Sequence, residues 1–158
     1  MDAFELVFEV ESICHAADMI QVLSEAYRVL KPGGRFVVID GFRQPGFDQL
    51  DDDIQTAARL VEITLSVSHP WIIDEWLALA QSIGFDVSEV EDVSEAIIPN
   101  LMRFQFLARG YYKLPCLSNL LLRVLPLHLV KNSVAGLLMP FTVRARAQGY
   151  YIITLSRE

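Results

Sequence analysis

Only two cysteines, Cys14 and Cys116, occur among the 158 residues. That excludes a disulfide framework, and with no sign of export a reducing cytoplasm is the expected location. No uninterrupted apolar run reaches the roughly 18 residues of a spanning helix, although hydrophobic residues make up 53% of the chain. The opening residues, MDAFELVFEVE, lack a basic stretch ahead of an apolar one and do not read as a signal peptide. No Gly-x-Gly occurs. The one glycine pair, Gly33-Gly34, leads into a strand and not a helix, which excludes a dinucleotide fingerprint. Cys14 and His15 are adjacent but have no further partners at ligand spacing, so no metal site is expected. Ser12 and His15 sit in no nucleophile elbow, so hydrolase chemistry is not indicated. There is no internal repeat and no low-complexity linker.

Carboxylates are scarce in the last third. Residues 101–158 hold 8 Lys/Arg against 1 Asp/Glu, or +7, whereas residues 1–100 hold 5 against 19, or −14, and the net charge is −7. An acidic body argues against nucleic acid as a partner. The basic, apolar tail can face an anionic substrate, a membrane surface in peripheral contact, or the acidic body itself.

The length suits one α/β domain with a real core. Leu6, Val7, Phe8 and Val10 form a first strand. Asp18 caps a helix to Leu30 in which Leu23, Ala26, Tyr27 and Leu30 share a face. Pro32 and Gly33-Gly34 are expected to turn the chain into a buried strand, Phe36–Asp40, whose continuous apolar run fits a parallel strand covered on both faces. Asp48 or Asp51 caps a helix with Ile54, Ala58, Val61 and Leu65 on one face. Ser66 to Trp71 is a loop. Asp74 caps a helix that Gly84 ends, with Trp76, Leu77, Ala80 and Ile83 inward. Asp86 to Val93 is a strand at or near an edge. Ser94 to Tyr112 is a helix with Pro99 early and Leu101, Phe104, Ala108 and Tyr111 along one face. Leu114 to Phe141 reads as two helices around Pro126, one through Leu120–Leu125. Tyr150 to Leu155 is a final strand.

Two stretches carry a resemblance. One is Phe4-Glu5-Leu6-Val7-Phe8-Glu9-Val10-Glu11-Ser12-Ile13-Cys14-His15 with Asp18. The other is Glu25-Ala26-Tyr27-Arg28-Val29-Leu30-Lys31-Pro32-Gly33-Gly34-Arg35. Together they resemble the fourth strand with its loop, and the helix-to-fifth-strand junction, of class I S-adenosylmethionine-dependent methyltransferases. The likeness is to the small-molecule branch of sterol and quinone methyltransferases. Ser82-Ile83-Gly84-Phe85 is similar to the junction into the sixth strand. The resemblance implies the C-terminal part of a Rossmann-like sheet of about four strands, the last antiparallel and inserted between the fifth and sixth. It also implies helical lid segments at 43–73 and 94–146 within a single partial domain, 1–158. The glycine-rich turn and the ribose-binding acid of that family are not in this sequence. The expectation is therefore an N-terminally truncated methyltransferase, inactive alone, whose complete fold binds S-adenosylmethionine.

By the same resemblance, Val10, Glu11 and Ser12 line the methionine end of the cofactor, and His15 lies nearer the acceptor as a general base. The alternative is that Glu11 and His15 satisfy backbone groups at a strand end. Asp40 either faces the same cleft or caps the turn through Gly41. Phe42, His69 and Trp71 are acceptor-side candidates, although an aromatic loop packing on the core explains His69 and Trp71 equally. His128, in an apolar helix, reads as a core histidine. The expected acceptor is small and apolar. A competing reading is a non-catalytic module that pairs with a second copy or a partner chain along the Leu6–Val10 strand edge. Another is an interfacial lipid-binding protein.

Overall fold

The structure is a computed structural model that describes residues 3–113 and 126–158, with the side chains of 127–129 outside that description. The expected helix through Leu120–Leu125, Cys116 and the side chain of His128 therefore lie outside the described residues. The chain divides into two compact units. The first comprises Met1–Pro45, Ser68–Ser94 and Gly149–Glu158; the second comprises Gly46–Val67 and Glu95–Gln148.

The first unit is built on a four-stranded sheet. Its strands are β1 (Phe4–Val10), β2 (Leu30–Arg43), β3 (Phe85–Asp92) and β4 (Gln148–Arg157), in the spatial order β1-β2-β4-β3. β1 and β2 are parallel, so a crossover must join them, and helix α1 (Met19–Val29) supplies it. Asp18 caps α1 as expected, its Oδ1 accepting the Gln21 N–H at 3.0 Å. β4 runs antiparallel to β3, Phe85 opposite Arg157 and Asp92 opposite Tyr151. It lies between β2 and β3, the place the resemblance implied for the last strand.

The expected turn at Lys31-Pro32-Gly33-Gly34 is instead part of β2. Phe4 pairs with Leu30 and Leu6 with Arg35, so the LKPGG stretch bulges out of the ladder without ending it. Gly33 takes φ +77°, and a Cβ on Gly34 would lie 2.8 Å from the Lys31 carbonyl oxygen, so both positions require glycine. Beyond the bulge, Phe36, Val38, Asp40 and Phe42 are buried while Val37 and Ile39 are half-buried. The run is therefore fully covered on one face only, which corrects the two-faced burial expected from its composition. On the covered face, α1 and α3 (Ile73–Ile83) pack one core from Leu23, Leu30, Phe36, Val38, Trp76 and Ile153. Ile72, not Asp74, stands at the α3 cap without a side-chain bond; Asp74 falls in the first turn, where it suits the helix dipole. Gly84 ends α3 at φ +119°.

β1 is the other edge. Phe4, Leu6, Phe8 and Val10 point to one face and are all exposed, Phe8 by 69%.

The second unit contains α2 (Asp52–Leu65), α4 (Ser94–Lys113) and α5 (Leu127–Arg144). On α2, Ala58, Val61 and Glu62 are buried, and Glu62 accepts from Gln148 Nε2 at 3.2 Å. α4 and α5 run antiparallel. Ile98 and Leu101 cluster with Val143, Gln105 Nε2 donates to the Leu137 carbonyl at 2.8 Å, and Tyr112 meets Ser133 at 2.8 Å. The inward face of α4 is thus Ile98, Leu101, Gln105 and Ala108; Phe104, expected inward, is exposed. Gln105 displaces it because an amide can satisfy a carbonyl on the neighbouring helix.

The far end of β4 is tied to α1 by one side chain. Arg157 Nη1 donates to the Tyr27 carbonyl at 3.0 Å and to the Leu30 carbonyl, and its guanidinium lies 4.8 Å from the Tyr27 ring centroid. Those carbonyls are orphans at a helix C-terminus, where a cation is favoured. Arg157→Met is expected to lower unfolding free energy by about 1–3 kcal/mol. Urea denaturation checks this, and an unchanged midpoint would show that the cap contributes nothing.

Candidate functional site

The carboxyl ends of β1 and β2 lie side by side because the strands are parallel and in register, Val10 opposite Ile39. Open α/β sheets place ligands at such an edge. β1 ends at Val10, and Glu11 then takes a left-handed backbone, φ 51°. A short 3-10 turn, Ile13–His15, follows and leads to α1.

Three carboxylates hold this corner. Glu9 Oε2 accepts the Ser12 N–H at 3.1 Å, the Ser12 Oγ–H at 2.7 Å and the Ile13 N–H at 3.0 Å. Its Oε1 is buried and has no hydrogen-bond partner among the described residues. Asp40 is 3% exposed. Its Oδ2 accepts the Cys14 N–H at 3.0 Å and its Oδ1 the Gly41 N–H at 2.7 Å. It therefore fastens the 3-10 turn to β2 and also caps its own turn. Glu11 Oε1 accepts the Tyr150 hydroxyl at 2.8 Å, which brings in the start of β4.

Burial pushes the Asp40 and Glu9 carboxyls above their ordinary values, the amide and hydroxyl donors working against that rise. Burial, with the Asp40 carboxylate beside it, pushes the Cys14 thiol up to about 12. Tyr150 is also raised, by burial and then by its bond to Glu11. The corner disfavours further negative charge and favours a cation. The unpartnered Glu9 oxygen and the acidic setting fit the positively charged methionine end of a sulfonium cofactor.

The sequence-predicted residues separate into two groups. Val10, Glu11, Ser12, His15 and Asp40 converge on this corner. His15 is exposed, and its carbonyl accepts the Ser68 Oγ–H at 2.8 Å, joining the loop before α3 to the turn. Phe42 does not converge with them. It is buried, with ring centroids 5.3 Å from Trp76 and 6.1 Å from Tyr151. His69 and Trp71 form an edge-to-face pair at 4.6 Å, and Trp71 is half-buried against the core. Glu9, Cys14 and Tyr150 were missed. Glu9 was legible, since it points to the same side of β1 as the half-buried Val7; Tyr150, 139 residues from Glu11, carried no local signal. An open groove of about 500 Å³ runs between β1 and α1, reaching Phe8, Glu9, Ser12, His15 and Val22. Among the described residues, no group of three or more His, Cys, Asp or Glu is arranged to hold a metal ion.

The raised thiol has a kinetic consequence. In a Cys116→Ser background, Cys14 is expected to react with iodoacetamide at pH 8 roughly a hundredfold more slowly than in guanidinium, because the thiolate is the nucleophile. Equal rates folded and unfolded would contradict this. The carboxyls add a pH signature. A carboxyl with a raised folded pKa contributes stability that is present at low pH and lost as pH rises through that pKa. Glu9→Gln should therefore gain on the wild type in melting temperature between pH 4 and pH 7, and a constant difference across that range would refute it.

Comparison with known proteins bears on what such a corner belongs to. The profile of a family described as "Methyltransferase domain" matches residues 1–38. Methyltransferase GfsG of Streptomyces halstedii is 33% identical over 98 residues, covering 62% of this chain and 34% of that protein. The sterol 24-C-methyltransferase of Neurospora crassa is 30% identical over 94 residues, covering 60% of this chain and 25% of that one. The chain thus spans between a quarter and a third of these relatives' lengths. In fold, a cyclopropane synthase of Mycobacterium tuberculosis aligns over 99% of this chain and 56% of its own, with TM-score 0.74 and 11% identity. A geranyl diphosphate C-methyltransferase of Streptomyces coelicolor aligns over 99% and 47%, with TM-score 0.69 and 18% identity. With its strand-end corner, its β1-β2-β4-β3 sheet and these similarities, the chain is similar to class I S-adenosylmethionine-dependent methyltransferases of the sterol and small-molecule branch, over the C-terminal region of their fold.

Proposed function

We propose that this chain forms the acceptor-side part of an enzyme that methylates a small, apolar acceptor. The observation that supports this most is the convergence of Val10, Glu11, Ser12, His15 and Asp40 at one sheet edge, braced by Tyr150. S-adenosylmethionine, when bound, supplies an electrophilic methyl group on a sulfonium. Val10, Glu11 and Ser12 then flank its methionine end, and the carboxylates Glu9 and Glu11 favour its positive charge. Asp40 positions the turn and so holds His15 in place. His15 takes the proton an acceptor must lose, and its exposure leaves it accessible for that role. His69 and Trp71 border the acceptor from the loop before α3, with Phe42 supporting them from the core. The segments 43–73 and 94–146 serve as acceptor-side cover. Alignment of methyl group and acceptor supplies much of the rate.

A second reading has its own observation, the exposed apolar face of β1 at an open sheet edge. In it the chain is an assembly module that recruits a second copy or a partner chain along Leu6–Val10. Sedimentation showing a monomer at all concentrations, with no partner bound, would dismiss it.

Calorimetric titration of the chain with S-adenosylmethionine tests the first reading at the cofactor end. Saturable binding near one per chain supports it for this polypeptide itself. A cooperatively folded protein that binds none confines the activity to a longer protein. In a chain competent for turnover, His15→Ala should lower kcat about 10²–10⁴-fold with cofactor affinity retained; unchanged turnover would remove His15 from the chemistry.

A further inference from the structure

From Ala96 to Arg157 the sequence contains no Asp or Glu, and α4 displays that bias on its surface. One side of α4, through Leu101, Gln105 and Ala108, is buried. The opposite side carries Met102, Phe106 and Leu107, exposed by 38%, 76% and 58%. Arg103, Arg109 and Lys113 border them, and all three are exposed. Met102, Phe106, Arg109 and Lys113 recur at four, three and four, so they form one line along the helix; Arg103 and Leu107 form the next. None of the three cations forms an ion pair among the described residues. Large apolar side chains exposed on a helix call for a partner that removes them from water. Three unpaired cations around them call for a partner that is also anionic.

We infer that the outer face of α4 docks on a lipid surface bearing anionic headgroups. Phe106, Leu107 and Met102 enter the acyl boundary, and Arg103, Arg109 and Lys113 meet the headgroups. A helix lying in the interface needs this division of sides and not a spanning length. No helix among the described residues is long and apolar enough to cross a membrane. The inference uses no residue of the strand-end corner, although α4 lies within the segment proposed as acceptor-side cover. A second copy of the chain is the rival occupant, because residues 1–100 are acidic. Because β1 of a second copy also exposes apolar side chains, the vesicle and dimer outcomes separate the two occupants.

Cosedimentation of the 158-residue chain with phosphatidylcholine vesicles, with and without phosphatidylserine, tests this. Binding should require phosphatidylserine, weaken as salt rises, and persist in excess inorganic phosphate. Arg103→Glu should lower partitioning about tenfold or more, and Phe106→Asp should abolish it. Ile63→Asp, at an exposed apolar position on α2, should leave it unchanged. Circular dichroism of each variant confirms that the fold is kept, which the exposure of these positions favours. Failure to bind anionic vesicles, equal binding to both vesicle types, loss of binding in phosphate, or equal binding by Phe106→Asp would each overturn the inference. So would a concentration-dependent dimer, seen without vesicles, that Phe106→Asp dissolves.

Discussion

The insertion of β4 between β2 and β3 is the constraint on which the first unit depends. It makes the last residues of the chain an inner strand of the sheet. Its alternation, with Gly149, Tyr151, Ile153 and Leu155 buried, closes the core that α1 and α3 cover. Its two ends then do different work. Arg157 satisfies carbonyls at the end of α1. Tyr150, at the other end, reaches Glu11 beyond the carboxyl end of β1. One strand thus stabilises the crossover and shapes the candidate site.

At the site, carboxylates hold backbone amides where longer side-chain networks are absent. Asp40 joins β2 to the 3-10 turn, and Glu9 folds the segment after β1 back on itself. Buried carboxylates are stable only when donors surround them, and here the donors are main-chain N–H groups freed by the irregular turn. The arrangement places the Glu9 carboxyl at the β1–α1 groove, which His15 also lines. The negative charge of the corner suits a cationic ligand group and adds to burial, the larger cause, in raising the Cys14 thiol.

Much of the frame was legible in the sequence because local signals agreed. Asp18 before an amphipathic run, Gly84 after one, and the alternating final strand each specified an element with its boundary within a residue or two. The failures share a cause. Lys31-Pro32-Gly33-Gly34 has turn composition, yet pairing with β1 on either side draws it into a bulged strand. Phe104 has core composition, yet a carbonyl on α5 selects Gln105 for the interface. Phe42 lies two residues beyond Asp40 at the strand end, but aromatic packing on Trp76 and Tyr151 takes it inward. In each case a long-range partner decides, and local sequence does not name that partner. Tyr150 is the same problem within the site: only the strand order reveals it.

The central claim is that β4 and the carboxylate-held turn are one cooperative structure with β2. Native-state hydrogen exchange of the chain tests it residue by residue. The account predicts that the amides of Tyr151, Ile153 and Leu155, together with those of Cys14 and Gly41, exchange only through global unfolding, while the exposed edge of β1 exchanges faster. Rapid exchange at Cys14 and Gly41 beneath a protected sheet would contradict it. That result would mean that Asp40 does not organise the corner, and that the candidate site is not formed by this chain.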